Sequence, residues 1–341
     1  MILSVSVLVV GSAALCAVLV VALMPLLRRY ALARPSARSS HRTPTPQGGG
    51  IAVLAATLIC TAAAVLPAAQ ADPEALSQVA AVGLAAVVLA VVGAWDDIRP
   101  LSAAVRLALQ VLAVGAVVLV AGPDDRILPE ESVPAAVEQA LIVVAGVWFV
   151  NLVNFMDGLD WMTVAEFVPA LAFFAVLALA ADDLPARFAL GAALLGALLG
   201  FGVFNKPVAR LFLGDVGSLP IGLLVGWLVL KLAGAGALAA AILLPLYPLA
   251  DATITLVRRL AGREKVWQAH RTHFYQQATD NGFSVLEVSG SVFVLNVLLA
   301  GLAFLTLVAP PAAQVAALGV GAALVAALLW RFARPRPGRL R

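Results

Sequence analysis

The stretch "VAAVGLAAVVLAVVGAWDDIRP", residues 79–100, is apolar or small as far as Trp95 and then sets two carboxylates side by side, Asp96 and Asp97. An apolar run of this length crosses a hydrocarbon core as a helix. Charge at its end costs free energy unless something binds it. Similar runs recur along the whole 341-residue chain, whose mean hydropathy is +1.02 and whose charged fraction is 12%; soluble chains carry about a quarter. About eleven can be read, near 2–27, 48–69, 75–95, 101–121, 135–153, 162–181, 187–204, 217–233, 236–255, 285–308 and 312–332. They lack the apolar–polar alternation of outer-membrane strands. The expected fold is therefore all-α, a polytopic membrane protein forming a single transmembrane domain over 1–341. The first run is too long for a signal peptide, has no basic start and is followed by Arg28 and Arg29, so it reads as a retained anchor.

The distribution of charge orients the chain. Taking connections on alternate sides, all 22 Lys and Arg except Arg126, Arg187 and Lys231 fall on one side. The positive-inside rule makes that side cytoplasmic, with the N-terminus outside and the C-terminus inside. The net charge of +3 therefore belongs to membrane topology, and no nucleic-acid partner is expected. Cys16 and Cys60 both lie in apolar runs and read as small buried hydrophobes. Gly196 with Gly200, and Gly222 with Gly226, have the spacing that lets helices approach closely in lipid. The longest polar stretch, 258–284, is a cytoplasmic loop that carries His270 and His273.

Carboxylates collect on that same side. Asp96 and Asp97 end the third run, Asp157 and Asp160 in "NLVNFMDGLDWM" (151–162) end the fifth, and Asp215 in "LGDVGSL" begins the eighth. Each alone has an ordinary reading as a solvated connector or a helix cap. If the DGLD segment were helical, Asp157 and Asp160 would share a face, with Asn151 and Asn154 a turn earlier. Acids at three helix ends on one membrane face point to a site for a hard cation, with Mg²⁺ and phosphate the usual pairing. Basic groups complement them. His41 and Arg42 precede Gly48, Gly49 and Gly50, whose N–H groups at a helix start offer an anion site. Arg106 lies one turn into the fourth run. His270 and His273, flanked by Arg271, read as phosphate ligands.

The motifs "SSHRTPTPQGGG" (39–50), "GAWDDIRPLS" (93–102), "NLVNFMDGLD" (151–160), "NKPVARLFLGDVGSLPIG" (205–222) and "PLADATITLVRRLAGREKVWQAHRTHFYQQ" (248–277) occur in order. In this the chain resembles the polyprenyl-phosphate N-acetylhexosamine-1-phosphate transferases. The resemblance implies transfer of a HexNAc 1-phosphate from a UDP-sugar to polyprenyl (undecaprenyl) phosphate, with release of UMP, in the bacterial cytoplasmic membrane. It assigns Asp96, Asp97, Asp157 and Asp160 to catalysis and Asp215 with Asp97 to Mg²⁺, with Mn²⁺ as the substitute. Substrate binding falls to His41, Arg106, Asn151, Asn154, Asn205, His270, Arg271 and His273, and a homodimer is compatible with it. Trp161 and Met162 stand where many members have Gly and Leu, and Arg106 where Lys is frequent. The H-R-T-H spacing is similar to the branch that primes O-antigen and related surface polysaccharides. The competing readings are a secondary transporter, whose sites lie near the bilayer midplane, and another Mg²⁺-dependent membrane transferase, namely a prenyltransferase or a CDP-alcohol phosphotransferase.

Overall fold

The computed structural model describes residues 2–33, 44–68, 72–121, 126–128, 131–180, 185–266 and 270–336. The helices are α1 (Ile2–Tyr30), α2 (Gly50–Val65), α3 (Pro73–Ile98), α4 (Ala103–Ala121), α5 (Ala135–Met156), α6 (Met162–Ala180), α7 (Ala186–Asn205), α8 (Asp215–Gly234), α9 (Leu238–Leu243), α10 (Leu246–Ala261), α11 (Phe274–Asp280), α12 (Val285–Thr306) and α13 (Pro311–Phe332). Two-residue strands, β1 (Leu32–Ala33) and β2 (Thr45–Pro46), pair antiparallel just beyond the end of α1. The chain is an all-α polytopic membrane protein. Among the described residues, nine helices are long and apolar enough to cross a membrane.

Two of the eleven apolar runs depart from the simple expectation. The second forms α2, a 16-residue helix that spans about 24 Å at 1.5 Å per residue, and is continued by a single 3-10 turn at Leu66–Ala68. The ninth, near 236–255, is broken into α9 and α10 at Pro245, which lacks the N–H for the helical ladder and whose ring crowds the preceding turn. The second piece carries the buried Asp251 and ends in Arg258 and Arg259.

Burial ranks the helices from centre to edge. In α8, 83% of the apolar window is buried, against 22% in α1 and in α13. Around α8 lie α3 and α5, while α1, α2 and α6 pack on α7, and α12 packs on α6. Small residues set these contacts, because lipid offers apolar side chains no incentive to leave it and close backbone approach supplies the attraction. A Cβ on Gly196 would overlap the Val9 carbonyl, and one on Gly200 the Ala13 carbonyl. The hydroxyl of Ser12 donates to Ala193 O at 2.6 Å across the same seam. Gly222 and Gly226 play the same part between α8 and α5, against Val150 and Phe149. Cys16 is buried, and neither cysteine is paired.

The glycine run 48–50 serves packing, and the expected anion site is not there. The N–H groups of Gly48 and Gly49 donate to Phe212 O, and that of Gly50 to Leu213 O, at 2.9–3.1 Å. These donors are consumed by the segment leading into α8. Gly50 and Gly217 face each other so closely that a Cβ on either would meet the other's Cα.

Gly50→Ala should lower the melting temperature of the detergent-purified protein by several degrees, since overpacking costs about 1–3 kcal/mol. Gly115→Ala, at a position with nothing within 4 Å, should leave it unchanged. Equal melting of the two variants would refute the tight α2–α8 contact.

Candidate active site

The end of α3 meets the start of α8. The N–H groups of Asp215 and Val216, unpaired within their own helix, donate to Asp97 Oδ1 at 3.1 Å and Oδ2 at 3.2 Å. Gln47 Nε2 donates to Asp97 Oδ1 at 2.5 Å. The positive end of the helix dipole favours a carboxylate at this point. Gly214, with φ +79°, turns the chain into α8; a side chain there would be strained and would press on Asp97 Oδ2.

A polar cavity of about 190 Å³ opens beside this junction, lined by Gln47, Asn154, Asp157, Asp160, Asn205 and Asp215 among others. Asn154 Nδ2 donates to Asp215 Oδ1 at 2.7 Å and to Ser218 Oγ at 2.9 Å, which fixes the rotamer of Asp215 from α5. Asp157 follows the end of α5 and accepts from Thr163 Oγ1. Burial, reinforced by the charges of Asp215, Asp97 and Asp160, pushes the Asp157 carboxyl up to about 8 against that hydrogen bond.

The DGLD segment is not helical, so Asp157 and Asp160 do not share a helix face. Asp160 is buried and accepts Ala209 N–H at 2.9 Å, tying the DGLD turn to the 206–213 segment. Asn205 does similar work, accepting Trp161 N–H at 2.8 Å and donating to Leu211 O at 2.9 Å. Trp161 holds φ +62°, a conformation costly for a bulky residue. Besides the Asn205 bond, its indole N–H is fixed to Gly202 O at 2.6 Å.

Asp96 is committed to the α3–α4 turn. It accepts Leu101 N–H at 2.6 Å and pairs with Arg106 at 2.8 Å. The same Arg106 nitrogen stands 4.0 Å from Asp215, so Asp96 steers a cation to the rim of the acidic cluster. Asn151 faces away, donating to Gln110 on α4 at 2.6 Å.

The histidine loop docks on the other flank. His270 and His273 stack with centroids 4.9 Å apart, through an extended segment and not the helical turn that their spacing suggests, because His273 is the N-cap of α11. His273 is buried; its Nδ1 lies 3.4 Å from Asp251 Oδ1 without hydrogen-bond geometry. Tyr275 Oη donates to Phe155 O at 2.8 Å and covers Gly158, where any Cβ would collide with it. Arg271 reaches Thr279 and Asp280 on α11. His41 lies outside the described residues. Sequence reasoning gave no role to Gln47 or Asp251. The signal for Asp251 was an acid inside an apolar run, which is expensive in a membrane and marks a residue with a task.

The donor set suits a hard divalent ion. Among the described residues no three His, Cys, Asp or Glu side chains form a metal-holding group, as a closed protein cage would require. Mg²⁺ instead keeps several waters and takes one or two carboxylates plus substrate phosphate. The two carboxylates of Asp157 and Asp215 in the polar cavity fit that demand.

Residues 79–233 match the family described as glycosyl transferase family 4. A Bacillus subtilis protein named probable undecaprenyl-phosphate N-acetylglucosaminyl 1-phosphate transferase is 26% identical over 300 residues, covering 81% of this chain and 80% of its own. The decaprenyl-phosphate N-acetylglucosaminephosphotransferase of Mycobacterium leprae is 28% identical over 293 residues, 75% of this chain and 72% of its own. A phospho-N-acetylmuramoyl-pentapeptide-transferase of Heliobacterium modesticaldum reaches 44% identity over 92 residues, 27% of each chain.

Asn205→Ala strands the Trp161 N–H and the Leu211 carbonyl, at about 1–3 kcal/mol for each buried group left unsatisfied. Thermal unfolding in detergent should register a clear loss of stability, and unchanged unfolding would mean that Asn205 does not hold this turn.

Proposed function

We propose that this chain, which matches glycosyl transferase family 4 over residues 79–233 and is similar over most of its length to polyprenyl-phosphate N-acetylglucosamine 1-phosphate transferases, moves a hexosamine 1-phosphate from a UDP-N-acetylhexosamine to polyprenyl phosphate and releases UMP, in the bacterial cytoplasmic membrane. The observation that carries this reading is that Asp157 and Asp215, from the ends of two helices, line one polar cavity, with Asp97 from the end of a third holding the Asp215 and Val216 amides beside it. A lipid phosphate and a soluble nucleotide can both reach such a place. A transporter site would sit deeper, on helices broken near the midplane.

A phosphate oxygen of the lipid attacks the sugar-bearing phosphorus of the diphosphate; the new P–O bond forms as the bridging P–O bond breaks, and its electron pair leaves with UMP. Catalysis of this kind is mostly positioning and charge stabilisation. Asp215 and Asp157 would hold Mg²⁺, with Asp97 behind them, and the ion would draw charge from the diphosphate oxygens. Asn154 keeps Asp215 in its rotamer. Arg106, presented by Asp96, offsets the mutual repulsion of the two anionic substrates, and His270 with His273 borders the diphosphate from the loop side. Asp160 and Asn205 act by shaping the walls.

The lipid chain has a place to lie. An apolar cavity of about 300 Å³ between α4, α5, α8, α9 and α10 is lined by Val114, Gly146, Trp148, Phe149, Gly222 and Trp227 among others. Gly222 is two turns along α8 from Asp215, about 10 Å. The arginine distribution puts the site on the cytoplasmic face. That orientation is supported by Asn281 Nδ2 donating to Phe332 O at 2.7 Å, which sets the C-terminal end of α13 beside the histidine loop. The H-R-T-H spacing favours surface-polysaccharide priming as the pathway.

Purified protein given polyprenyl phosphate and UDP-N-acetylglucosamine or UDP-N-acetylgalactosamine should release UMP with Mg²⁺, lose that activity in EDTA and regain it with Mg²⁺ or Mn²⁺. Asp215→Ala should cut the rate by at least about 10²-fold, the scale of losing one main electrostatic stabiliser, while keeping its elution profile and melting temperature. Wild-type UMP release by that variant would defeat the proposal.

A further inference from the structure

Asp251 lies in the middle of α10 and is 0% exposed. An ionised carboxylate is tolerated at such a depth only when its oxygens are well supplied with donors. Oδ1 accepts Phe274 N–H at 3.0 Å and the Thr255 hydroxyl at 3.4 Å. Oδ2 accepts Tyr275 N–H at 3.1 Å and the Tyr247 hydroxyl at 3.2 Å. The backbone donors are the first two of α11, which would otherwise be orphaned at the helix start, since the N-cap His273 gives no side-chain cap. The cap comes instead from a helix more than twenty residues earlier. His273 is held with its Nδ1 3.4 Å from Oδ1 and its ring stacked between those of His270 and Tyr275. From there Tyr275 Oη reaches Phe155 O, two residues before Asp157.

We infer that Asp251 is the positioning residue of the histidine loop. Its carboxylate fixes where α11 begins, and through His273 and Tyr275 it sets the loop against the end of α5 and the acidic cavity. The reasoning turns on donors and acceptors. The site supplies donors to both oxygens, and asparagine has a single acceptor oxygen whose NH₂ partner would face N–H and O–H groups. A residue that only filled space would tolerate asparagine well, because the two side chains are nearly the same size.

The choice of substrate rests on the transferase reading; the placement of the loop does not, so two measurements separate them. In steady-state assays Asp251→Asn should raise KM for UDP-N-acetylglucosamine by about tenfold or more, with kcat and the KM for polyprenyl phosphate changed little, the pattern of lost ground-state binding. Independently, trypsin should cut after Arg271 several-fold faster in the folded variant than in wild type. Unchanged KM together with an unchanged cleavage rate overturns the inference. If wild type lacks UMP release, the transferase reading fails and the cleavage rate alone decides on Asp251. If Asp251→Asn does not fold, Tyr275→Phe, which removes only the bond to Phe155, should show the same changes to a smaller degree, and wild-type behaviour in it overturns the inference.

Discussion

The carboxylate of Asp97 at the N-terminus of α8 is the interaction on which the arrangement depends. It joins the last turn of α3 to the first turn of the most buried helix, and Gln47 brings in the segment that opens α2. Burying a negative charge this close to the bilayer requires compensation, and two backbone donors with the helix dipole behind them supply it. The demand for room at this junction explains the glycines. Gly50 and Gly217 allow α2 and α8 to touch backbone to backbone, and Gly93 faces the Asp215 carbonyl too closely for any side chain. Once these contacts are made, Asp215 has one place to be, beside Asn154 and within reach of Arg106.

The acids of the chain divide by what satisfies them. Asp96, Asp97, Asp160 and Asp251 each accept backbone N–H groups, and each thereby fastens one segment to another. Asp157 and Asp215 are held by side chains, Thr163 and Asn154 respectively, and both face the polar cavity. Burial, reinforced by the neighbouring carboxylates, pushes the Asp157 carboxyl up to about 8. Carboxylates fastened by backbone amides and carboxylates held by side chains thus sit side by side in the same motifs.

Much of this was legible in the sequence, and the limits have physical causes. Apolar runs identify transmembrane helices because the length needed to cross a bilayer is fixed, and the GxxxG spacings marked α7 and α8 as closely packed, while their partners α1 and α5 came only from the structure. The sharing of one end of the bundle by acids from α3, α5 and α8 followed from counting crossings. Local periodicity misled where the backbone is irregular. Asp157 with Asp160 and His270 with His273 have helical spacing, yet neither pair lies on a helix: the two aspartates point to different partners, and the histidines meet through an extended segment. Gly48, Gly49 and Gly50 looked like free donors at a helix start, but a segment more than 160 residues later in the chain accepts from them. Asn151 and Asn154 differ by one helical turn, and only packing against α4 and α8 determines which of them meets the cavity. No local signal encodes such long-range partners.

The 118-residue separation between Asp97 and its amide partners has a consequence for biogenesis. The ribosome completes α3 long before it makes α8. Through the insertion of four further helices, Asp97 must stay at the membrane edge with only Gln47, already synthesised, and water to hydrate it. The cleft therefore comes into being late, when α8 threads between helices already in the bilayer. A nascent chain arrested before that point carries most of the transmembrane mass but lacks Asp215 and the amides that hold Asp97.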